Sequence, residues 1–267
     1  MNRRVTALLQ AAHLGPTLAV TLVAAGLAAS ADLTLPRGLL VVAAVLSGQL
    51  SIGWSNDLID LPRDLQSGRA DKPLTTGDVD VRLVLLACRG AVLATVVLSL
   101  ACGWLPGLVH LAVVSAGWAY NLGLKSTPWS WLPYAVAFGG LPVFVFLAQP
   151  TPGLPPWWAP VAGALLGVGA HLVNVLPDLA DDEATGVRGL PHRLGARWTG
   201  PLATLLLVLA SVVVTVVAPE NRGPLTWATL AVVLGLGVVS LLGTGRTPFR
   251  AAIAIALVDV LALTWVL

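Results

Sequence analysis

The sequence predicts an all-α, polytopic membrane protein folded as a single domain over residues 1–267. Three observations predict it. Hydrophobic residues make up 57% of the 267 and charged residues only 10%, against roughly 25% charged in a soluble domain; the mean hydropathy is +0.86. Apolar runs of about 20 residues recur along the chain, each able to cross a hydrocarbon core of roughly 30 Å. The cationic residues gather on one side of the spans those runs define.

Nine transmembrane helices follow from the runs. The first, 7–30, comes after Arg3 and Arg4 and ends near the small residues "AASA". That pattern also fits a signal peptide, but eight further spans make an ordinary first helix the better reading. The others cover 36–56, 81–101, 104–121, 131–149, 156–176, 201–218, 226–243 and 248–267. Nineteen prolines and twenty-seven glycines do not oppose helices here, because membrane helices tolerate both. With the N-terminus in the cytoplasm, Arg3, Arg4, Arg63, Arg69, Lys72, Arg82, Lys125, Arg188, Arg193, Arg197, Arg246 and Arg250 all face inward. Only Arg37 and Arg222 face outward, and Arg89 lies within the third span. A chain rich in Ala, Val, Leu, Gly and Arg with little Lys suggests a high-GC bacterium, hence a plasma membrane. The net charge of +2 argues against a nucleic-acid partner. Cys88 and Cys102, if on one helix, stand about 21 Å apart and cannot bridge, so they carry no redox role.

Ten of the thirteen acidic residues lie in two cytoplasmic segments. Asp57, Asp60, Asp64, Asp71, Asp78 and Asp80 form one; Asp178, Asp181, Asp182 and Glu183 form the other. Each follows a span running from outside to inside. Solvated loops commonly carry a few aspartates, but the spacing in "NDLIDLPRDL" is more specific. Asp57, Asp60 and Asp64 stand at i, i+3 and i+7, on one face if the second helix continues. Three carboxylates on one face repel, and a cation is what stabilises them. Pro62 would distort the last turn.

A repeat joins the two segments. "NDLIDLPRDLQSG" and "NVLPDLADDEATG" share N-x3-D-x3-D-x3-G, pairing Asn56, Asp60, Asp64 and Gly68 with Asn174, Asp178, Asp182 and Gly186. Pro73 pairs with Pro191 at the same offset of 118. The pattern predicts two parallel four-helix units plus a ninth helix. Oxygen-only ligands without clustered His or Cys select a hard cation. Magnesium is usually held by one or two carboxylates together with substrate phosphates. Scattered His13, His110, His171 and His192 do not suit zinc, and EF-hand spacing is absent. The residues therefore predict two carboxylate walls, Mg2+ between them and a phosphorylated ligand bridging the ions. Arg63, Arg69, Lys72, Arg188 and Lys125 are the cations nearest the walls; of these Arg69, Lys72 and Lys125 are expected to touch phosphate. Arg193, Arg197, Arg246 and Arg250 read as orientation markers.

"NDLIDLPRD" resembles the NDxxDxxxD signature of the UbiA superfamily of intramembrane prenyltransferases, and "DLADD" at 178–182 resembles its DxxxD signature. The flanking "SGRADKPLTTG" and "GVRGLPHRLG" are similar to the stretches after the two motifs. The resemblance implies a helical bundle around a central cavity that opens to lipid and is capped by cytoplasmic loops. It implies an isoprenyl diphosphate bound through Mg2+, loss of diphosphate, and alkylation of an acceptor, often aromatic, by the allylic cation. Carried residue by residue, Asn56, Asp57, Asp60 and Asp64 would serve the first motif and Asp178 and Asp182 the second, with Asp181 an auxiliary ligand or base. Lys72 stands where arginine is frequent and Gly189 where threonine is common.

That chemistry needs charge neutralisation at the leaving oxygens and a dry chamber for the cation. Aromatic faces could stabilise it; among Trp54, Trp118, Tyr120, Trp131, Tyr134 and Phe138, the first choices are Tyr120 and Trp54. Asn174 and His171 precede Asp178 by four and seven, which puts them on its helix face; Asn174 is the site candidate, His171 equally a packed residue. Arg89 and Asp259 are expected to pair with one another or to snorkel. Two rivals remain: a membrane terpene cyclase using the same ionisation without an acceptor, and an ion-coupled transporter. Acids at the ends of spans, not at the midplane, disfavour the transporter.

Overall fold

The computed structural model describes residues 3–68, 70–179, 182, 186–217, 223–244 and 246–266. All regular structure among them is helical. Helix α1 (Arg3–Gln10) and α2 (Leu14–Ser30) meet at a bend of 68°, so the expected span 7–30 is broken, not continuous. Pro16 explains the break: it lacks an N–H and its ring opposes the carbonyl four residues back. Thr17 Oγ1 instead donates to Ala12 O at 2.8 Å, and His13 turns the chain with φ 52°. Helix α3 (Leu35–Ser67) runs 33 residues, about 50 Å, which outlasts a hydrocarbon core of about 30 Å. It passes through Pro62 without ending. Its overhang carries the first acidic motif.

Short α4 (Pro73–Thr76) precedes α5 (Val81–Ala101), whose first turn is capped by Asp80 accepting from Arg82 N at 2.6 Å. Then come α6 (Trp104–Asn121), a 3-10 turn at Leu124–Ser126, α7 (Leu132–Leu147) and α8 (Trp158–Val175). Pro177 converts the end of α8 to a 3-10 turn, Leu176–Asp178. After α9 (Leu190–Leu194), α10 (Ala196–Val212) continues as a π-helical turn, Val213–Val217. Finally α11 (Pro224–Leu242) and α12 (Thr247–Val266) complete the described chain. Among the described residues, four helices are long and apolar enough to cross a membrane (Leu35–Ser67, Val81–Ala101, Trp158–Asp178 and Ala196–Val217), and the bent α1–α2 pair is a fifth candidate.

The 118-residue offset extends to the backbone. Helices α2 and α7 begin one offset apart, at Leu14 and Leu132. Gly68 and Gly186 both take positive φ, 66° and 85°, as do Gly77 and Gly195 at 74° and 73°. Pro73 and Pro191 both stand in the first turn of a short helix. Packing joins α2 to α3, α3 to α5 and α6, α6 to α7, α7 to α8, α8 to α10, and α10 to α11. Helix α12 touches α8, α10, α11 and α2, so it closes the ring.

Small residues set the tightest seam, between α7 and α8. A Cβ on Gly163 would sit 2.5 Å from Phe138 O, and one on Gly167 2.5 Å from Tyr134 O. Backbones approach this closely only over glycine, a common device where lipid supplies no hydrophobic drive. Arg37, in the first turn of α3, donates to Ala148 O and, at 2.9 Å, to Cys102 O, tying the C-terminal ends of α7 and α5 together.

Of the two arrangements expected for Arg89 and Asp259, pairing with one another is not seen. Asp259 is buried and accepts from Ser211 Oγ, and its Oδ2 has no hydrogen-bond partner among the described residues. Arg89 is exposed on α5. Ser211→Ala should leave both Asp259 oxygens unserved and lower stability by about 1–3 kcal/mol, measurable as a fall in thermal midpoint in detergent.

Candidate active site

Because α3 stays helical through Pro62, Asp57, Asp60 and Asp64 do share a face, and they are only 2%, 6% and 3% exposed. Burying three carboxylates is costly unless each is paired. The chain supplies the cations itself. Lys72 Nζ lies 2.9 Å from Asp57 Oδ1 and 2.9 Å from Asp64 Oδ2. Only the first contact has hydrogen-bond geometry, since Asp64 Oδ2 is otherwise without a hydrogen-bond partner among the described residues. Lys125 Nζ pairs with Asp60 Oδ1, and Arg63 reaches Asp60 Oδ2 at 3.1 Å. His13 Nε2 contacts Asp57 Oδ1 at 2.8 Å. Both of the chain's lysines are therefore committed to this cluster.

The electrostatics follow from that crowding. Burial works to lower the Lys72 pKa, but Asp57 and Asp64 outweigh it and hold the ammonium above the ordinary lysine range. Burial pushes Lys125 below that range; Asp60 pulls the other way, and Arg63 and Lys72 add to the depression. Burial raises the Asp182 carboxyl, with Asp178 adding and Arg63, His192 and Lys125 opposing. Thus Arg63 and Lys125 act on Asp60 of the first segment and on Asp182 of the second. The two acidic segments share one electrostatic environment.

The second segment is less enclosed. Asp182 is half-buried, 3.7 Å from His192 Nε2. Asp178 and Asn174 are both exposed, and the 3-10 turn ends the helical spacing that would have stacked them on one face with His171. His171 is buried and faces elsewhere: its Nε2 meets Ser130 Oγ at 3.1 Å, and its ring lies 4.7 Å from Tyr134 and 5.7 Å from Tyr120. Tyr120 and Tyr134 meet edge to face at 5.3 Å, making an aromatic group on which both Asp60 and Asp182 act. Trp54, expected to face the allylic cation beside Tyr120, is committed elsewhere: its Nε1 donates to Leu8 O at 2.9 Å and its ring packs with α1. Arg188 is exposed. Arg69 and Asp181 lie outside the described residues.

Two site residues escape sequence reasoning. Asn121, buried at the end of α6, donates to Ile52 O at 2.9 Å and Ser55 Oγ at 2.8 Å. Its Oδ1 accepts from Asn56 Nδ2 at 3.2 Å, and Asn56 Nδ2 also reaches Asp60 Oδ2 at 3.3 Å. Asn121 stands next to Tyr120, but a single amide at a helix end gives no signal of the helix it will face. His13 is a second such case.

Among the described residues no three His, Cys, Asp or Glu side chains converge as a ready metal centre. The donor chemistry nonetheless fits a hard divalent ion: oxygen donors, buried, on one helix face, with ammonium groups already seated between them. An open groove of about 530 Å³ lies elsewhere, between α2, α11 and α12, lined by Gly26, Ala29, Thr229, Val258 and Leu261. No carboxylate lines it, and the acidic cluster is the better candidate.

The sequence profile of the UbiA prenyltransferase family matches residues 17–263. The chain is 31% identical over 231 residues, 79% of its length and 74% of the relative's, to the bacteriochlorophyll synthase 33 kDa chain of Cereibacter sphaeroides. Its fold is similar to the apo structure of a UbiA homologue from Aeropyrum pernix (TM-score 0.74, 18% identity, covering 91% of this chain and 96% of that one). It is similar also to a UbiA homologue from Archaeoglobus fulgidus bound to GPP and Mg2+ (TM-score 0.71, 16% identity, covering 97% and 98%). The paired acidic motifs, the helical ring and these matches place the chain in the UbiA prenyltransferase family, as an integral membrane prenyltransferase.

Proposed function

We propose that this single-domain chain, over residues 1–267, is a Mg2+-dependent enzyme that ionises an isoprenyl diphosphate at the cytoplasmic end of a nine-helix bundle and transfers the prenyl group to a lipophilic acceptor, aromatic in preference. The observation that carries the reading is the buried row of Asp57, Asp60 and Asp64 on one face of α3, with Lys72, Lys125 and Arg63 seated on it. The charges of Arg63 and Lys125 also favour the ionised form of Asp182. One ligand bridging both segments would meet all of these groups. The Archaeoglobus homologue solved with GPP and Mg2+ supports the same substrate class, and the relative named for bacteriochlorophyll synthesis supports a lipophilic acceptor. The cation asymmetry supports an N-terminus and active-site loops in the cytoplasm of a bacterium.

Asn56, Asp60, Asp64, Asp178 and Asp182 would hold the metal, which supplies charge neutralisation at the leaving diphosphate. Lys72 and Lys125, seated on carboxylates, would each offer a donor to phosphate, with Arg69, Arg188 and Asn174 as further candidates for diphosphate contact. The C–O bond breaks with its electron pair leaving on the diphosphate. Tyr120 presents its ring to the allylic cation, the bundle keeps water away, and the acceptor's nucleophilic atom forms the new bond. Asp181 is the candidate to take the acceptor's proton.

The test uses the full chain in lipid nanodiscs with prenyl diphosphates of several lengths, with and without aromatic acceptors, in Mg2+ or EDTA. Acceptor-dependent diphosphate release that EDTA abolishes supports the proposal. Release without acceptor, yielding a cyclic hydrocarbon, would replace it with a terpene cyclase. In the same assay Asn121→Leu should lower turnover by about 10–100-fold through loss of Asn56 positioning, the usual cost of removing a group that orients a metal ligand.

A further inference from the structure

We infer that Asp57 is a positioning residue and not a metal ligand: it anchors Lys72, with His13 on its other flank, so that the ammonium faces the diphosphate. This rests on the function proposed above.

The internal repeat carries the first part. Asp57 lies outside the N-x3-D-x3-D frame that the two halves share, and its counterpart one offset of 118 along is Val175, a buried apolar residue. The counterpart of Lys72 at the same offset is Leu190. The acid and its lysine are thus replaced together by an apolar pair, while Asp60 and Asp64 both keep acidic counterparts. If Asp57 served the metal as those two do, the second half would not discard it in step with a lysine.

Geometry carries the second part. One oxygen of Asp57 accepts from two donors, His13 Nε2 at 2.8 Å and Lys72 Nζ at 2.9 Å. Each donor is anchored separately. Lys72 precedes Pro73 at the start of α4, where its carbonyl accepts from Thr75 Oγ1 at 2.7 Å. His13 sits at the α1–α2 break in a left-handed conformation, φ 52°, uncommon for a residue with a side chain. Gly53 holds that break against α3: a Cβ there would lie 2.2 Å from Ala12 O. An ammonium has three N–H donors; Asp57 accepts one, Asp64 stands 2.9 Å away as an ion partner, and a donor remains for a phosphate oxygen.

The test compares Asp57→Asn with Asp60→Asn in the full chain in nanodiscs. In the first readout, without ligand, acetic anhydride labels the two lysines and mass spectrometry reads each. Asp57→Asn should raise Lys72 labelling severalfold with Lys125 unchanged; unchanged Lys72 labelling overturns the inference. In the second, Mn2+ alone is titrated by electron paramagnetic resonance. Asp57→Asn should keep Mn2+ affinity within about twofold while Asp60→Asn loses more than about tenfold; an equal loss in both overturns it. An unreactive prenyl thiodiphosphate should bind Asp57→Asn about tenfold more weakly, with no further loss on adding Lys72→Met. Should Asp57→Asn not fold, Asp57→Val with Lys72→Leu copies the pair of the second half and gives the same Mn2+ readout. A wild type that binds neither Mn2+ nor thiodiphosphate removes the proposed function, and the labelling result still decides the anchor.

Discussion

Asp60→Ala is expected to reduce prenyl transfer by about 10²–10³-fold or more, the cost of removing one preorganised electrostatic group from an enclosed site. Asp60 is the hub of the first motif: Lys125, Arg63 and Asn56 all converge on its carboxylate. Removing it takes away a hard oxygen donor and strands two partly buried cations at once, and a charge left alone away from water is costlier than the pair. Asp60→Asn keeps the volume and discards the charge, so it should fall nearly as far, separating electrostatics from packing. Asp178→Ala should fall in the same direction. Initial rates of diphosphate release over a range of Mg2+ check this, since loss of metal affinity alone is recovered at high Mg2+. Full turnover by both alanine variants would end the case for a metal-bridged diphosphate here.

Gly163→Val should be the most damaging change away from the site. Its first added carbon meets Phe138 O at 2.5 Å, and that neighbour is backbone, which cannot swing aside. Overpacking costs about 1–3 kcal/mol where side chains can yield, and more where they cannot. The α7–α8 seam would part, and α7 carries Tyr134 toward Tyr120 and His171. The expected result is a thermal midpoint too low for a monodisperse peak in size-exclusion chromatography. Gly90→Ala is the control, because nothing lies within 4 Å of its added carbon. Alanine's better helix propensity should leave that variant as stable or more so. Equal behaviour of the two would show that the seam does not depend on glycine.

The first acidic motif is legible because charge is rare in this chain: three aspartates at i, i+3 and i+7 stand out where little else is polar. The helix α5 expected at 81–101 and α6 at 104–121 match the observed bounds, since uninterrupted apolar runs leave the backbone no better choice. The break at His13 is hidden because a Gly-Pro pair in an apolar run can be tolerated in a membrane helix. The extension of α3 to Ser67 is open for the opposite reason: Pro62 signals an ending that the packed overhang overrides. In the second segment, Pro177 tightens the turn and undoes the expected alignment of Asn174 and His171 with Asp178.

By itself, the sequence determined the all-helical membrane class, the two acidic segments, their 118-residue relation and a set of oxygen donors suited to a hard cation. These are properties of composition and short-range spacing, which hold before any helix meets another. Only the tertiary structure decided which cation neutralises which carboxylate, that Trp54 supports α1 and is not free to face the site, and that Asn121 holds Asn56. Such pairings join residues as many as 65 positions apart, and helix packing, not local sequence pattern, selects them.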